Sequence, residues 1–338
     1  MRSSTSPWPA TRARPATLLL LAWCAGCGHG DPFSFGNPLS DQPLNGTAPV
    51  QLTYGGGGEV TWLGDGTAIV FSGLLGLIQR PDSTRDTCIA LIPSGGGQSR
   101  RAWCQPGLPQ LDSIDAFEYP AVSPGGRLVF LHSSQLPIQV SWARRELVLT
   151  TLDSPDSVRH VLATLPQFGI PPHNGLVQMQ WLDEQRFVYR ADDIAYSQTR
   201  PPKITPLFIM LASISGDSAT FAPVPGTDSA ASVAVLGPDT LLYTLPHDPR
   251  VHRRILSSGA TDIAWGADSA KTIHAAGGRL AAIVTPVSAQ EYIVVVNLST
   301  MQAQTVAFAK QFDGIALSPD GKSLVATRGG NLYRYAVP

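Results

Sequence analysis

Apolar residues in this chain come in short β-branched and aromatic runs cut by Gly, Pro, Asp and Asn. No helical stripe is long enough to suggest a second domain. Val60-Thr61-Trp62 passes through Leu63-Gly64-Asp65-Gly66 into the apolar run Ala68-Ile69-Val70-Phe71. The same strand-turn-strand unit returns over 119–130, around Ser123-Pro124-Gly125-Gly126, and over 314–327, around Ser318-Pro319-Asp320-Gly321. In such turns Pro presets φ, Asp suits the next position, and Gly accepts a positive φ that closes the hairpin. Weaker copies fill the gaps at 177–189, 232–243 and 272–284.

Each copy is followed by two further strand-like runs, such as 292–298 and 304–308. Four antiparallel strands per unit make a propeller blade. First strands near residues 60, 120, 178, 232, 272 and 314 predict an all-β, six-bladed β-propeller. The last unit supplies a third strand over 331–336 and then the chain stops, so residues 50–54 are expected to complete it from the N-terminal side. That closure removes an open edge. The segment 261–268, with Trp265, also reads as a first strand and would give seven blades; its preferred place is a fourth strand.

The pattern resembles the repeat of the TolB-type propellers, a WD-repeat-like family. Leu52-Thr53, Gly55 to Gly58, Trp62, Asp65-Gly66 and Ser318-Pro319-Asp320-Gly321 carry the resemblance, which covers residues 49–338. It implies the fold and says little of function, because such propellers serve as binding platforms, peptidase gates and enzyme scaffolds alike. The separate N-terminal α/β domain of TolB itself has no counterpart in the pattern.

The first residues look like an address. Arg2, Arg12 and Arg14 precede the apolar run Ala16 to Trp23, which is too short to cross a bilayer and suits a secretion signal. Ala25-Gly26-Cys27 resembles a bacterial lipobox, with Cys27 as the lipidated first mature residue; Cys24 is the competing site. The expected organisation is a signal peptide over 1–26, a Gly/Pro/Asn/Asp-rich tether over 27–48 and a propeller over 49–338. The expected location is the cell envelope, on the periplasmic face of the outer membrane or on the cell surface.

Composition fits an exported β-domain. The 338 residues include 32 Gly and 29 Pro, as a chain of many reversals needs. A net charge of −1 leaves no electrostatic footprint for nucleic acid. Cys88 and Cys104 lie symmetrically about Gly96, so a hairpin there sets them opposite each other and predicts a disulfide.

Motifs for chemistry are weak. There is no Gly-x-Ser-x-Gly elbow, and Gly321-Lys322-Ser323 lacks the first glycine of a phosphate-binding loop. The seven His form no His-Glu-x-x-His pair; His247 and His252 read as solvated, and Asp192-Asp193 as polar surface. No catalytic, cofactor or metal residue is assigned.

What remains is shape. Long links between second and third strands over 73–86, 133–144 and 191–203 carry Arg80, Asp82, Arg85, Trp142, Arg144, Arg145, Tyr196 and Arg200. They share a face with blade connections bearing Glu118, Tyr119 and His173. Glu118, Tyr119, Trp142, Arg144, His173, Tyr196 and Arg200 form the candidate ligand face. The expected function is non-catalytic binding of a protein, peptide or glycan partner by a monomeric propeller. The alternatives are a polysaccharide lyase or glycosidase, which needs groups such as Asp115, Glu118, His173 or Asp313 converging on the axis, and a scaffold subunit of an envelope assembly.

Overall fold

A computed structural model describes residues 48–53, 58–74, 87–103, 114–135, 144–152, 159–165, 178–191, 208–266, 270–286 and 290–338. Cys27, Cys104, Trp142, His173, Asp192, Asp193, Tyr196 and Arg200 lie outside these, as do Arg80, Asp82 and Arg85.

Six four-stranded antiparallel blades form a β-propeller. β1 (Val50–Gln51) precedes the first blade. Blade 1 is β2 (Val60–Trp62), β3 (Ala68–Leu74), β4 (Thr87–Pro93) and β5 (Arg100–Trp103). Blade 2 is β6 (Ile114–Val122), β7 (Arg127–Gln135), β8 (Arg144–Thr151) and β9 (His160–Leu165). β10 (Met179–Trp181), β11 (Arg186–Ala191), β12 (Phe208–Ser215) and β13 (Ser218–Pro223) form blade 3. In blade 4 the strands are β14 (Ser232–Gly237), β15 (Thr240–Leu245), β16 (Asp248–Ile255) and β17 (Thr261–Gly266). Blade 5 follows with β18 (Ala270–Ala276), β19 (Arg279–Val284), β20 (Glu291–Asn297) and β21 (Ala303–Ala309). The last three strands are β22 (Gly314–Leu317), β23 (Ser323–Arg328) and β24 (Asn331–Ala336).

The ring closes as the sequence predicts. β1 pairs antiparallel with β24, Val50 opposite Arg334 and Gln51 opposite Tyr333. Leu52 N–H extends the ladder to Leu332 O at 2.8 Å, and Thr53 Oγ1 accepts from Leu332 N–H at 2.9 Å. The Trp265 segment is β17, a fourth strand, which settles the count at six.

The middle strands lie between two neighbouring blades, which is why they are apolar on both faces. In β19, Ala281 and Ile283 pack toward Ile315, Leu317 and Leu324 of blade 6. Leu280, Ala282 and Val284 pack toward Ala234, Leu242 and Val251 of blade 4. Each fully buried Leu, Ile or Val contributes about 1.5–3 kcal/mol of transfer free energy. The turn glycines Gly66, Gly126 and Gly321 hold φ of 72°, 87° and 71°, the left-handed values their turns require. The repeated tryptophan also links blades through its indole nitrogen. Trp62 Nε1–H donates to Ala316 O of blade 6, and Trp181 Nε1–H to Ala121 O of blade 2, both at 3.0 Å.

Three expectations need correction. Glu118 and Tyr119 belong to the inner strand β6, not to a connection, because pairing with β7 begins at Ile114. Arg144 and Arg145 open β8, opposite Ser134 and Ser133, and are strand residues. His252 is not solvated: its ring stacks on Tyr243 with centroids 5.2 Å apart, and Nε2 lies 3.0 Å from Asp248 Oδ2. His247 is exposed in the turn, as expected.

Candidate functional site

The inner strands of the blades converge on a central funnel. Its wall includes Glu59, Thr61, Tyr119, Gln178, Gln180, Thr272, His274 and Asp313, contributed by blades 1, 2, 3, 5 and 6. The space inside is about 530 Å³ with its open mouth, of which water centres can enter about 60 Å³. That is room for a few waters.

Blade 4 is absent from this wall because blade 3 covers it. Gln178 Oε1 accepts from Val233 N–H at 2.9 Å and from Ser232 Oγ at 2.5 Å, while Gln178 Nε2 donates to Ile273 O at 3.2 Å. Gln180 Oε1 accepts from Val235 N–H at 2.8 Å. Ser232 Oγ also accepts from Ile273 N–H at 3.0 Å. Two glutamines, Gln178 just before β10 and Gln180 within it, thus satisfy the open edge of β14, as a neighbouring strand would. They tie blades 3, 4 and 5 together at the axis.

Tyr119 lines the funnel from a bulge, where pairing between β6 and β7 shifts between Glu118 and Ala121. Its φ of 55° is left-handed, strained for an aromatic residue by about 1–3 kcal/mol. Glu118 accepts from Ser133 Oγ at 3.2 Å. Glu59 accepts from Ser72 Oγ across the first hairpin.

His274 lies on β18 of blade 5 and reaches forward to blade 6. Its Nδ1 accepts from Leu317 N–H at 3.2 Å, which leaves the neutral ring its proton on Nε2. Burial pushes its pKa down to about 4, so it is uncharged at neutral pH.

Asp313 lines the same funnel. Burial raises its carboxyl above the ordinary range; the Lys271 charge opposes this, Glu291 adds to it, and a bond from Gln311 opposes it again. Glu291 is buried and accepts from Phe312 N–H at 2.6 Å, Thr285 Oγ1 at 3.1 Å and Lys271 Nζ at 3.3 Å.

Of the residues expected at the site, the structure brings Tyr119 and Asp313 to one cavity. Glu118 lies next to Tyr119 but does not line it. Asp115 is near the start of β6, where only its backbone is described. Gln178, Gln180 and His274 are not singled out by sequence reasoning. The alternation Gln178-Met179-Gln180 is the signal that could have found the first two, since polar residues at every second position of an inner strand share one face. Among the described residues no group of three or more His, Cys, Asp or Glu is placed to hold a metal ion.

Among solved structures the chain is similar to a gluconolactonase from Xanthomonas campestris, at 13% identity and a TM-score of 0.56, covering 89% of this chain and 92% of that one. It is similar to TolB from Acinetobacter baumannii, at 11% identity and 0.52, covering 84% of this chain and 64% of the TolB chain. The third is an oligogalacturonate lyase in complex with manganese, at 12% and 0.51, covering 87% and 81%. At such identities the likeness shows the propeller fold alone. No family model and no curated protein matches the sequence.

Proposed function

We propose that this chain is a non-catalytic, lipid-anchored propeller that binds a protein, peptide or glycan partner at the cell envelope through its funnel face. One observation carries the reading. The polar groups at the funnel are committed to bonds within the protein: Gln178 and Gln180 to blade 4, Glu59 to Ser72, and Asp313 to Gln311. The glutamines hold blades in place, and the two carboxylates bond to near neighbours instead of converging on a substrate. A rigid rim around a nearly filled axis suits recognition at the mouth, with Tyr119 as an aromatic anchor.

A second reading, an enzyme acting on polysaccharide through the funnel, draws on the raised Asp313 carboxyl and the neutral His274 in one cavity. The mature protein, lipidated on Cys27, serves as bait in crosslinked envelope extract, beside assays on polygalacturonate and other acidic glycans. The expected result is a specific partner lost on Tyr119→Ala, with no glycan cleavage. Cleavage abolished by Asp313→Asn establishes the enzyme instead. Cys27→Ser is expected to end fatty-acid labelling and release the protein from membranes; labelling that persists there and vanishes in Cys24→Ser moves the lipid to Cys24.

A further inference from the structure

Away from the funnel, the outer strands of blades 4 and 5 enclose a groove of about 400 Å³, whose lining includes Pro249, Arg250, Trp265, Gly266, Tyr292 and Thr305. One wall is β17, the outermost strand of its sheet, bonded to β16 on one side only. Its other edge therefore presents main-chain N–H and C=O groups to whatever enters.

Among the described residues of the lining, Arg250 alone is charged. Asp248 accepts from its Nε at 2.8 Å and its Nη2 at 2.7 Å, which fixes the guanidinium plane. Those bonds use two of the five N–H donors, and the side chain is 54% exposed. Arg250 pairs across the ladder with Gly266. A Cβ at Gly266 would meet nothing within 4 Å, so the space over it is open to a side chain reaching toward Arg250. Half-buried Trp265 and Tyr292 supply the aromatic surface beside it.

We propose that this groove receives an extended acidic segment of a partner protein, which adds as a fifth strand to β17, sets a carboxylate on Arg250 across Gly266, and seats an apolar side chain against Trp265 and Tyr292. The free strand edge selects a peptide, because main-chain pairing gives the affinity while alternate side chains give the specificity. A cation with spare donors selects a carboxylate. This surface is independent of the funnel.

The test uses the mature protein and a fluorescein-labelled peptide, Ser-Val-Glu-Val-Glu-Val-Ser, with a twin in which lysine replaces glutamate. Anisotropy titration is expected to give at least tenfold tighter binding of the acidic peptide. Arg250→Glu removes that preference. Gly266→Val, whose side chain enters open space and leaves the fold intact, blocks both peptides; Asp313→Ala changes neither. Bound acidic peptide slows amide hydrogen exchange over 261–266. Equal binding of the twins, no binding of either, or full affinity in Gly266→Val overturns the proposal. Binding of polygalacturonate through Arg250 without the peptide overturns it in favour of an acidic glycan.

Discussion

Glu184 of blade 3 holds Ser123 of blade 2: Ser123 Oγ donates to Glu184 Oε2 at 2.8 Å, and Gly125 N–H donates to the other carboxylate oxygen. Blade 6 builds the same turn alone, with Ser318 Oγ and Lys322 N–H donating to Asp320 Oδ1 at 2.6 and 3.0 Å. In blade 2 Gly125 stands where Asp320 stands in blade 6, and the missing carboxylate comes from the next blade. A local turn bond has become an inter-blade bond.

Glu184→Ala is expected to cost about 1 kcal/mol, since the pair is charge-assisted but exposed. Gly125→Asp alone is also destabilising: its Cβ would lie 2.7 Å from Glu184 Oε2, and the two carboxylates repel. Together the changes restore a self-contained turn. Denaturant melts of the wild type, both single variants and the double variant should show a favourable coupling above about 0.5 kcal/mol; simple additivity refutes the exchange.

Ring closure rests on a short ladder between the two ends of the propeller. Thr53→Val strips the buried Leu332 N–H of its acceptor and is expected to cost about 1–3 kcal/mol. Deleting residues 28–47 should leave the thermal midpoint nearly unchanged, whereas extending the deletion through Thr53 exposes the edge of β24 and should cause a large loss or aggregation. Equal melting of the two truncations contradicts the closure.

His274 makes stability depend on pH. Its folded pKa of about 4 lies below the ordinary 6.5, so the unfolded chain binds the proton first. Its contribution is complete above about 6.5 and is lost as pH falls toward 4, on the order of 3 kcal/mol. His274→Gln should flatten the stability profile in that window and leave the neutral-pH side less changed. An imidazole titrating near 6.5 by NMR rejects the assignment.

A Cys88–Cys104 disulfide is expected in exported protein. Cys88 is fully buried on β4, and the ladder there pairs Ile89 with Trp103, so the register runs toward the expected partner. A closed loop of about 15 residues adds about 3 kcal/mol in the chain-entropy model. Thiol labelling without reductant at both positions refutes it, as does an unchanged melting point after reduction.

The blade count, the closing strand and the place of the Trp265 segment were legible in the sequence. Each rests on local chemistry: glycines at positive φ in turns, β-branched runs between them, and a spare strand before the first blade to match the one missing from the last. Glu118, Tyr119 and Arg144 were drawn into connections because strand pairing outlasts the apolar pattern, and only the ladder shows where it ends.

Sequence alone determined the ring, since every blade repeats a pattern whose period and turn residues are local. Tertiary structure decided what faces the axis and what faces its neighbour. Gln178 bonds to Val233, Glu184 to Ser123, and Arg250 lies opposite Gly266 across the ladder. The first two contacts join residues far apart in the chain, and the third needs a register. Polar side chains commit to partners only when the ring brings those partners within hydrogen-bond reach.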